Sequence, residues 1–273
     1  MAGLSEYKLD YNSPLDEELQ TRLQKIDACL RAKYSIHSHQ TALGALDLIG
    51  LRLAMLDGDR LEYGASVPKI GILLAYFQLH LSAAVELPVQ TRYELALMAK
   101  ASDNELATKF SRQLGLEQIQ NVLNSYAFYD LKRGGGIWMG KHYGCNEERR
   151  GDPLEDLSHA VTVRQLLRFY LLLEQGRLVS AQASKVMREI FACTDIPHDP
   201  IKFVAGLAGR DVSIIRKWGS WEHWLHDTAV ISGPGRHYIL VGLTSTPRGD
   251  EYLADLARAV DDLMISCEPR FEQ

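Results

Sequence analysis

The chain has 273 residues, 46% of them hydrophobic and 24% charged, with a formal net charge of −5. That supplies enough apolar material for one large domain or two interlocked ones, and it excludes a disordered chain. A mildly acidic balance with no Lys/Arg-rich block argues against nucleic acid as a partner.

Residues 1–24 are polar and acidic, with no basic start followed by an apolar stretch. The expected address is therefore cytoplasmic, or periplasmic or secreted if a leader has been removed. Leu15, Leu19, Leu23, Ile26 and Leu30 recur at three- and four-residue spacing, which predicts a helix over 15–33. Two strand-like runs follow, 41–48 and 51–56, parted by Ile49-Gly50, with Asp57-Gly58 as a turn after the second. Ser66 comes next, then an apolar stretch over 70–81 with the pattern of a buried helix. From there to about residue 203 the pattern is helical, over 92–100, 105–114, 116–124, 163–175 and 181–192. A glycine-rich, charged segment at 132–156 interrupts it; loops of that size are usually functional or disordered. The tail is β-rich over 212–217, 224–232 and 237–245, with Gly233-Pro234-Gly235 as a turn, and an amphipathic helix over 252–265 closes it. No apolar run approaches the ~20 residues of a membrane helix, so no membrane partner is expected. This order predicts an α+β architecture. Residues 1–65 and 204–273 build one sheet with terminal helices, residues 66–203 form an inserted all-α unit, and the active site lies between.

Cys29, Cys145, Cys193 and Cys267 lie far apart, which fits reduced thiols better than a disulfide or zinc framework. The histidines include His37-Ser38-His39 but no His-Glu-x-x-His, so neither a metal nor a cofactor is expected.

Three short stretches outweigh the rest: Ser66-Val67-Pro68-Lys69, Ser102-Asp103-Asn104 and Lys217-Trp218-Gly219. Together they supply two hydroxyls, two amines and an amide, the equipment of a serine acylation site in which lysine handles the proton. None is strong alone. Ser5-Glu6-Tyr7-Lys8 also fits Ser-x-x-Lys, and Lys-x-Gly recurs at Lys69-Ile70-Gly71 and Lys132-Arg133-Gly134. Context gives them weight. Ser66 opens an apolar helix, whose N-terminal N–H groups favour a developing oxyanion, and the i, i+3 spacing puts Lys69 on the same face. A lysine serves as a base only when partly neutral, which burial would bring about. Plainer readings compete: Ser66 as a helix cap with Pro68 in the first turn and Lys69 solvated, Ser102-Asp103-Asn104-Glu105 as a capping box, and Lys217 as an exposed strand-end cation.

In this order and setting the motifs resemble those of the serine β-lactamase and D-Ala-D-Ala peptidase (penicillin-binding) superfamily, the class A branch most closely. The resemblance spans roughly residues 15–265. It implies a β-lactamase-like α+β fold: a five-stranded antiparallel sheet flanked by terminal helices, with an inserted all-α domain. It also implies that Ser66 is the nucleophile, Lys69 its base and Ser102 the proton relay. Asn104 would orient Lys69 or the substrate amide, and Lys217 would lower the relay's pKa and attract a substrate carboxylate. Gly219 would admit a substrate backbone, and the N–H groups of Ser66 and Ser220 would form the oxyanion hole.

The chain departs from that family in two places. Trp218 stands where relatives carry a small hydroxyl residue that helps bind the substrate carboxylate; the indole either points away from the pocket or fills it. The Glu-x-x-x-Asn that activates the deacylating water is missing from 132–156, leaving Glu147 and Glu148 as candidate bases. In its place runs Arg133-Gly134-Gly135-Gly136-Ile137-Trp138-Met139-Gly140-Lys141, whose glycines permit backbone close to a ligand. Trp138 and Tyr143 offer flat apolar surface, and no Walker pattern is present. In 221–227, His226 and Asp227 either line the pocket or satisfy core hydrogen bonds. The reading is a serine hydrolase acylated on Ser66 by a small-molecule or peptide-like amide or ester, an esterase or peptidase before an efficient β-lactamase. The alternative is a non-hydrolysing, penicillin-binding-like sensor or ligand-binding pseudoenzyme on the same fold, using residues 134–136 and Trp138.

Overall fold

The computed structural model describes residues 2–80, 86–144 and 149–266. Its centre is a five-stranded antiparallel sheet of β1 (Thr41–Asp47), β2 (Arg52–Leu56), β3 (Ser213–Trp221), β4 (Trp224–Gly233) and β5 (Arg236–Ser245), in the order β2-β1-β5-β4-β3. The two ends of the chain thus meet at the β1–β5 pair, and β3 forms one edge. Every residue of β1 is buried, because the sheet is covered on both faces.

Side-chain alternation divides the core in two. On one face Leu43, Ala45, Ile231 and Leu240 meet Leu19 and Leu23 of α1 (Glu17–Tyr34) and Leu253, Leu256 and Val260 of the C-terminal helix α8 (Gly249–Ser266). On the other, Leu46, Val230, Ile239 and Val241 join the cluster of the helical block: α2 (Lys69–His80), α3 (Val89–Ala96), α4 (Asn104–Leu114), α5 (Leu116–Ser125), α6 (Val163–Glu174) and α7 (Ala181–Phe191). Most of α2, from Lys69 to Ala75 and Phe77, is buried, so it is a central helix rather than an amphipathic one. Capping side chains start α1, α6 and α7: Asp16 accepts from Leu19 N, Thr162 from Gln165 N and Ser180 from Ala183 N.

Three departures from the sequence reading matter for the site. The helix expected over 92–100 ends at Ala96; the next five residues, Leu97–Ala101, form a π-helical turn that delivers Ser102 with φ 61° and ψ 31°. The long segment at 132–156 is partly ordered into short ladders: Gly135–Gly136 pairs with Tyr129–Asp130, and Trp138–Met139 with His159–Val161, which pairs in turn with Glu62–Tyr63. Glu147 and Glu148 lie outside the described residues, as do Cys145 and Cys267; Cys29 and Cys193 are free thiols. Finally, β3 continues past Lys217 to Trp221. Among the described residues no helix is long and apolar enough to cross a membrane.

Candidate active site

Ser66 sits in the turn between the Glu62–Tyr63 strand and α2. Ala65 before it is left-handed (φ 45°), and Lys69 N donates to Ser66 O at 3.3 Å as the helix begins. Tyr143 fixes the turn from outside, its hydroxyl donating to Ala65 O at 3.0 Å. Tyr143 is held in turn by α4, where the Thr108 hydroxyl donates to Tyr143 O and Ser111 Oγ meets His142 Nδ1 at 2.7 Å. On the far side β3 presses directly on the turn at Gly219. A β-carbon there would lie 2.9 Å from Ser66 N, 3.1 Å from Gly64 O and 3.2 Å from the Ala65 β-carbon. The glycine therefore serves the approach of strand to turn, bringing the Ser220 main chain beside Ser66. Gly219→Ala is expected to cost about 1–3 kcal/mol of stability by overpacking and, on the acyl-enzyme reading proposed below, to slow acylation of Ser66 about 100-fold or more by parting the Ser66 and Ser220 N–H groups. Denaturant unfolding and single-turnover labelling of the same variant check both numbers.

The three motifs converge. Lys69, 1% exposed, points its Nζ at Asn104 Oδ1 (2.7 Å), Ser102 O (2.5 Å) and Ser102 Oγ (3.2 Å). Lys217, fully buried, donates to the same Ser102 Oγ at 2.8 Å and to Trp218 O at 2.7 Å. A serine hydroxyl has two lone pairs and one proton. With two amines on its lone pairs, Ser102 is left with its O–H to offer elsewhere. Burial is the main cause that lowers the Lys69 pKa to about 7, against a smaller opposing pull from Asp103. Lys217 is also held well below its ordinary value, first by burial and then by the neighbouring cations Lys69, Arg216 and Lys202.

The capping question resolves by one residue. Asp103, not Ser102, caps α4, accepting from Leu106 N at 2.8 Å, so the Ser102 hydroxyl stays with the lysines. Neither Lys69 nor Lys217 is a solvated cation.

Trp218 does not point out to solvent. Its Nε1 donates to Lys100 O at 3.2 Å, so the indole spans from β3 to the π-helical turn, with Lys217 Nζ 5.3 Å and Lys202 Nζ 5.0 Å from its ring centroid. Covered in this way, Lys217 presents no surface to a substrate carboxylate.

Lys202 carries no motif and escaped the sequence reading. It is 1% exposed and donates to Gly219 O (2.7 Å), Ser220 Oγ (2.7 Å) and His226 O (3.3 Å). Its own backbone is strained, at φ 54° and ψ −126°, the kind of outlier held only where its surroundings over-determine it. In a trans peptide the carbonyl and the following N–H point opposite ways. By holding Gly219 O, Lys202 therefore turns the Ser220 N–H away from itself. Burial lowers its pKa to about 8, with Asp227 and Asp250 opposing.

Ser66, Asn104 and Ser220 line one cavity of about 320 Å³ with Tyr63, Lys141, Tyr143, His159 and Trp221. Other sequence candidates lie elsewhere. His226 accepts from Thr244 N and shares a hydrogen bond with Tyr63 O (2.7 Å), and Asp227 is paired with Arg216 at 2.8 Å, both buried and structural. Trp138 Nε1 donates to Arg150 O and its ring packs on Tyr129. Gly136 serves packing rather than a ligand, since a β-carbon there would meet Phe128 O at 2.0 Å.

The profile described as the beta-lactamase enzyme family matches residues 79–264, a stretch that holds Ser102, Asn104 and Lys217. The chain belongs to that family. Its fold is the β-lactamase fold, as expected: the beta-lactamase from Sphaerobacter thermophilus DSM 20745 superposes with a TM-score of 0.70 at 16% identity, over 91% of this chain and 98% of that one. A class A beta-lactamase from Mycobacterium abscessus gives 0.69 at 16%, over 89% and 98%. The protein PBP-A gives 0.66 at 18%, over 91% and 97%, and a PBP-A variant is known as an acyl-enzyme with penicillin G. At these identities the likeness is one of fold. Among curated proteins none matches. Beta-lactamase-family membership makes a serine hydrolase of the β-lactamase and penicillin-binding kind the class of activity for this chain.

Proposed function

We propose that the protein hydrolyses a small-molecule or peptide-like ester or amide through an acyl-enzyme on Ser66. The observation that carries this reading is Ser102 Oγ held between Lys69 at 3.2 Å and Lys217 at 2.8 Å, with Asn104, the other side-chain partner of Lys69, lining the same cavity as the half-buried Ser66. The neutral Lys69 amine takes the Ser66 proton as Oγ bonds to the carbonyl carbon. The N–H groups of Ser66 and Ser220 receive the oxyanion, with Lys202 fixing the peptide that bears the second. Ser102 passes its proton to the leaving oxygen or nitrogen as that bond breaks and regains one from Lys69. Asn104, its Oδ1 engaged by Lys69, offers its amide nitrogen to a substrate carbonyl.

Trp218 over Lys217 favours esters and amides without a carboxylate beside the scissile bond, so β-lactams are poor substrates in this reading. A second reading, a protein that keeps its acyl group, is favoured by one contact. Among the described residues one side chain facing Lys69 is the Tyr143 ring, 4.5 Å from Nζ, whose burial keeps the hydroxyl un-ionised and unfit to activate water.

A fluorophosphonate is expected to label the protein at Ser66, and Ser66→Ala to abolish labelling; labelling that survives the substitution refutes the assignment. Intact mass after an ester pulse separates the two readings, a mass that returns to that of the free protein favouring the hydrolase and a lasting adduct the sensor.

A further inference from the structure

Neither Lys217 nor Trp218 lines the cavity next to Ser66; rings make up one part of its wall, beside the polar side chains of Asn104, Lys141 and Ser158. Tyr143 and His159 stack at 4.4 Å between centroids, His159 meets the edge of Tyr63 at 6.3 Å, and Tyr63 rests on Trp224 at 6.0 Å. Trp221, 59% exposed at the end of β3, lines the same cavity. These rings are fixed: Tyr143 by Ala65 O, and His159 by Lys141 O at 2.9 Å. His159 is uncharged at neutral pH, since burial lowers its pKa to about 4. A large exposed indole lining the same cavity as a nucleophile and a row of packed rings is the surface expected of a binding site rather than of an idle exterior.

The geometry points to a flat aromatic acyl group as what this cavity holds, making the substrate an arylacyl ester without a carboxylate on its leaving side. This rests on the hydrolase reading above and gives it a substrate class. Size agrees, because an apolar cavity of roughly 150 Å³ admits one benzene. The 320 Å³ here thus takes an aryl ring together with its linking carbon and the scissile ester. Outside the cavity's lining, the indole of Trp218, tied to Lys100 O, leaves a bulky acidic leaving part no place to lie over Lys217. In the step itself, Ser66 Oγ bonds to the arylacyl carbon and the ester C–O bond breaks. The alcohol departs with the proton relayed by Ser102, and water then releases the aryl acid.

Two measurements test the substrate class separately from the chemistry. Under steady state, 4-nitrophenyl phenylacetate and 4-nitrophenyl cyclohexylacetate share a leaving group and differ in the flatness of the acyl ring. The phenylacetyl ester is expected to show at least about tenfold higher kcat/KM, and Trp221→Ala to bring the ratio below about threefold. In the Ser66→Ala protein, which cannot be acylated, calorimetric titration with phenylacetamide and cyclohexylacetamide is expected to keep a preference of about fivefold or more for the aromatic amide. Equal kcat/KM for the two esters, or equal binding of the two amides, overturns the inference. Ester turnover that persists in Ser66→Ala, with the aromatic preference intact in the titration, overturns the hydrolase reading instead and leaves the aromatic site standing.

Discussion

Lys69→Met is expected to slow acylation of Ser66 by about 10³-fold and to erase the acid limb of its pH profile. General-base catalysis by a positioned side chain contributes about 10²–10⁴-fold, and Lys69 is the amine whose pKa, lowered to about 7, fits it for that task. In the native protein kcat/KM for a neutral ester should rise with pH through 7 as Lys69 sheds its proton, then level off. The variant should show a low, flat profile over the same range. A wild-type profile that falls through 7, or a variant that retains the limb, would remove Lys69 from the role.

The same substitution has a signature in stability. Lys69 loses its proton near 7 in the fold and near 10.5 in the unfolded chain. Between these values the unfolded chain holds the extra proton, so this group makes stability rise with pH, by about 1.4 kcal/mol per pH unit at most. Its contribution is fully present above 10.5 and lost as the pH falls to 7. Wild type is therefore expected to gain about 2–3 kcal/mol on Lys69→Met between pH 7 and 9, and nothing between pH 5 and 6. Urea unfolding of the pair at those pH values checks it. Lys202 titrates alike in both proteins and drops out of the difference, whereas Lys217 loses a neighbouring cation in the variant, moves up toward its ordinary value and so shares in it.

Much of the fold was legible because its signals are local. The apolar run after Ser66, the two-strand start and the three-strand tail fall within a few residues of the observed elements. The i, i+3 spacing of Ser66 and Lys69 needs only a helix to have meaning. What escaped depends on tertiary forces. Leu95, Met98 and Ala99 are buried at spacings that suit an ordinary α-helix, so nothing in the pattern betrays the wider turn at Leu97–Ala101 that aims Ser102. Ser102 and Asp103 are both good caps, and only the two lysines pulling on Ser102 decide which one serves. Gly219 and Ser220 weaken the strand signal, so β3 seemed to stop at Lys217. Lys202 sits in a Pro200-Ile201-Lys202-Phe203 run with no motif. Its position follows from a strained backbone and from β3 passing overhead, neither of which a single sequence displays.

Trp218→Thr is expected to raise the second-order rate of Ser66 acylation by penicillin G by about 10–100-fold. The indole now covers Lys217 at 5.3 Å and Lys202 at 5.0 Å, and bridges the cleft to Lys100 O at 3.2 Å. Removing it uncovers cationic donors and supplies a hydroxyl in the position where a carboxylate would dock. A charge-assisted hydrogen bond contributes about 1.5–3 kcal/mol, which is the stated range in rate if it is made in the transition state. The substitution should also cost stability, about 1–3 kcal/mol, through the lost indole bond, packing and cation–π contacts. Uncovering Lys217 should raise its pKa toward the ordinary value, since burial is the first cause of its depression. Stopped-flow labelling with fluorescent penicillin and with a neutral aryl ester, run on both proteins, distinguishes the causes. Faster penicillin acylation with no gain for the neutral ester means that the indole was excluding the carboxylate. An equal gain for both means that Trp218 merely narrows the cleft, and no gain for either means that the exclusion of β-lactams lies elsewhere in the site.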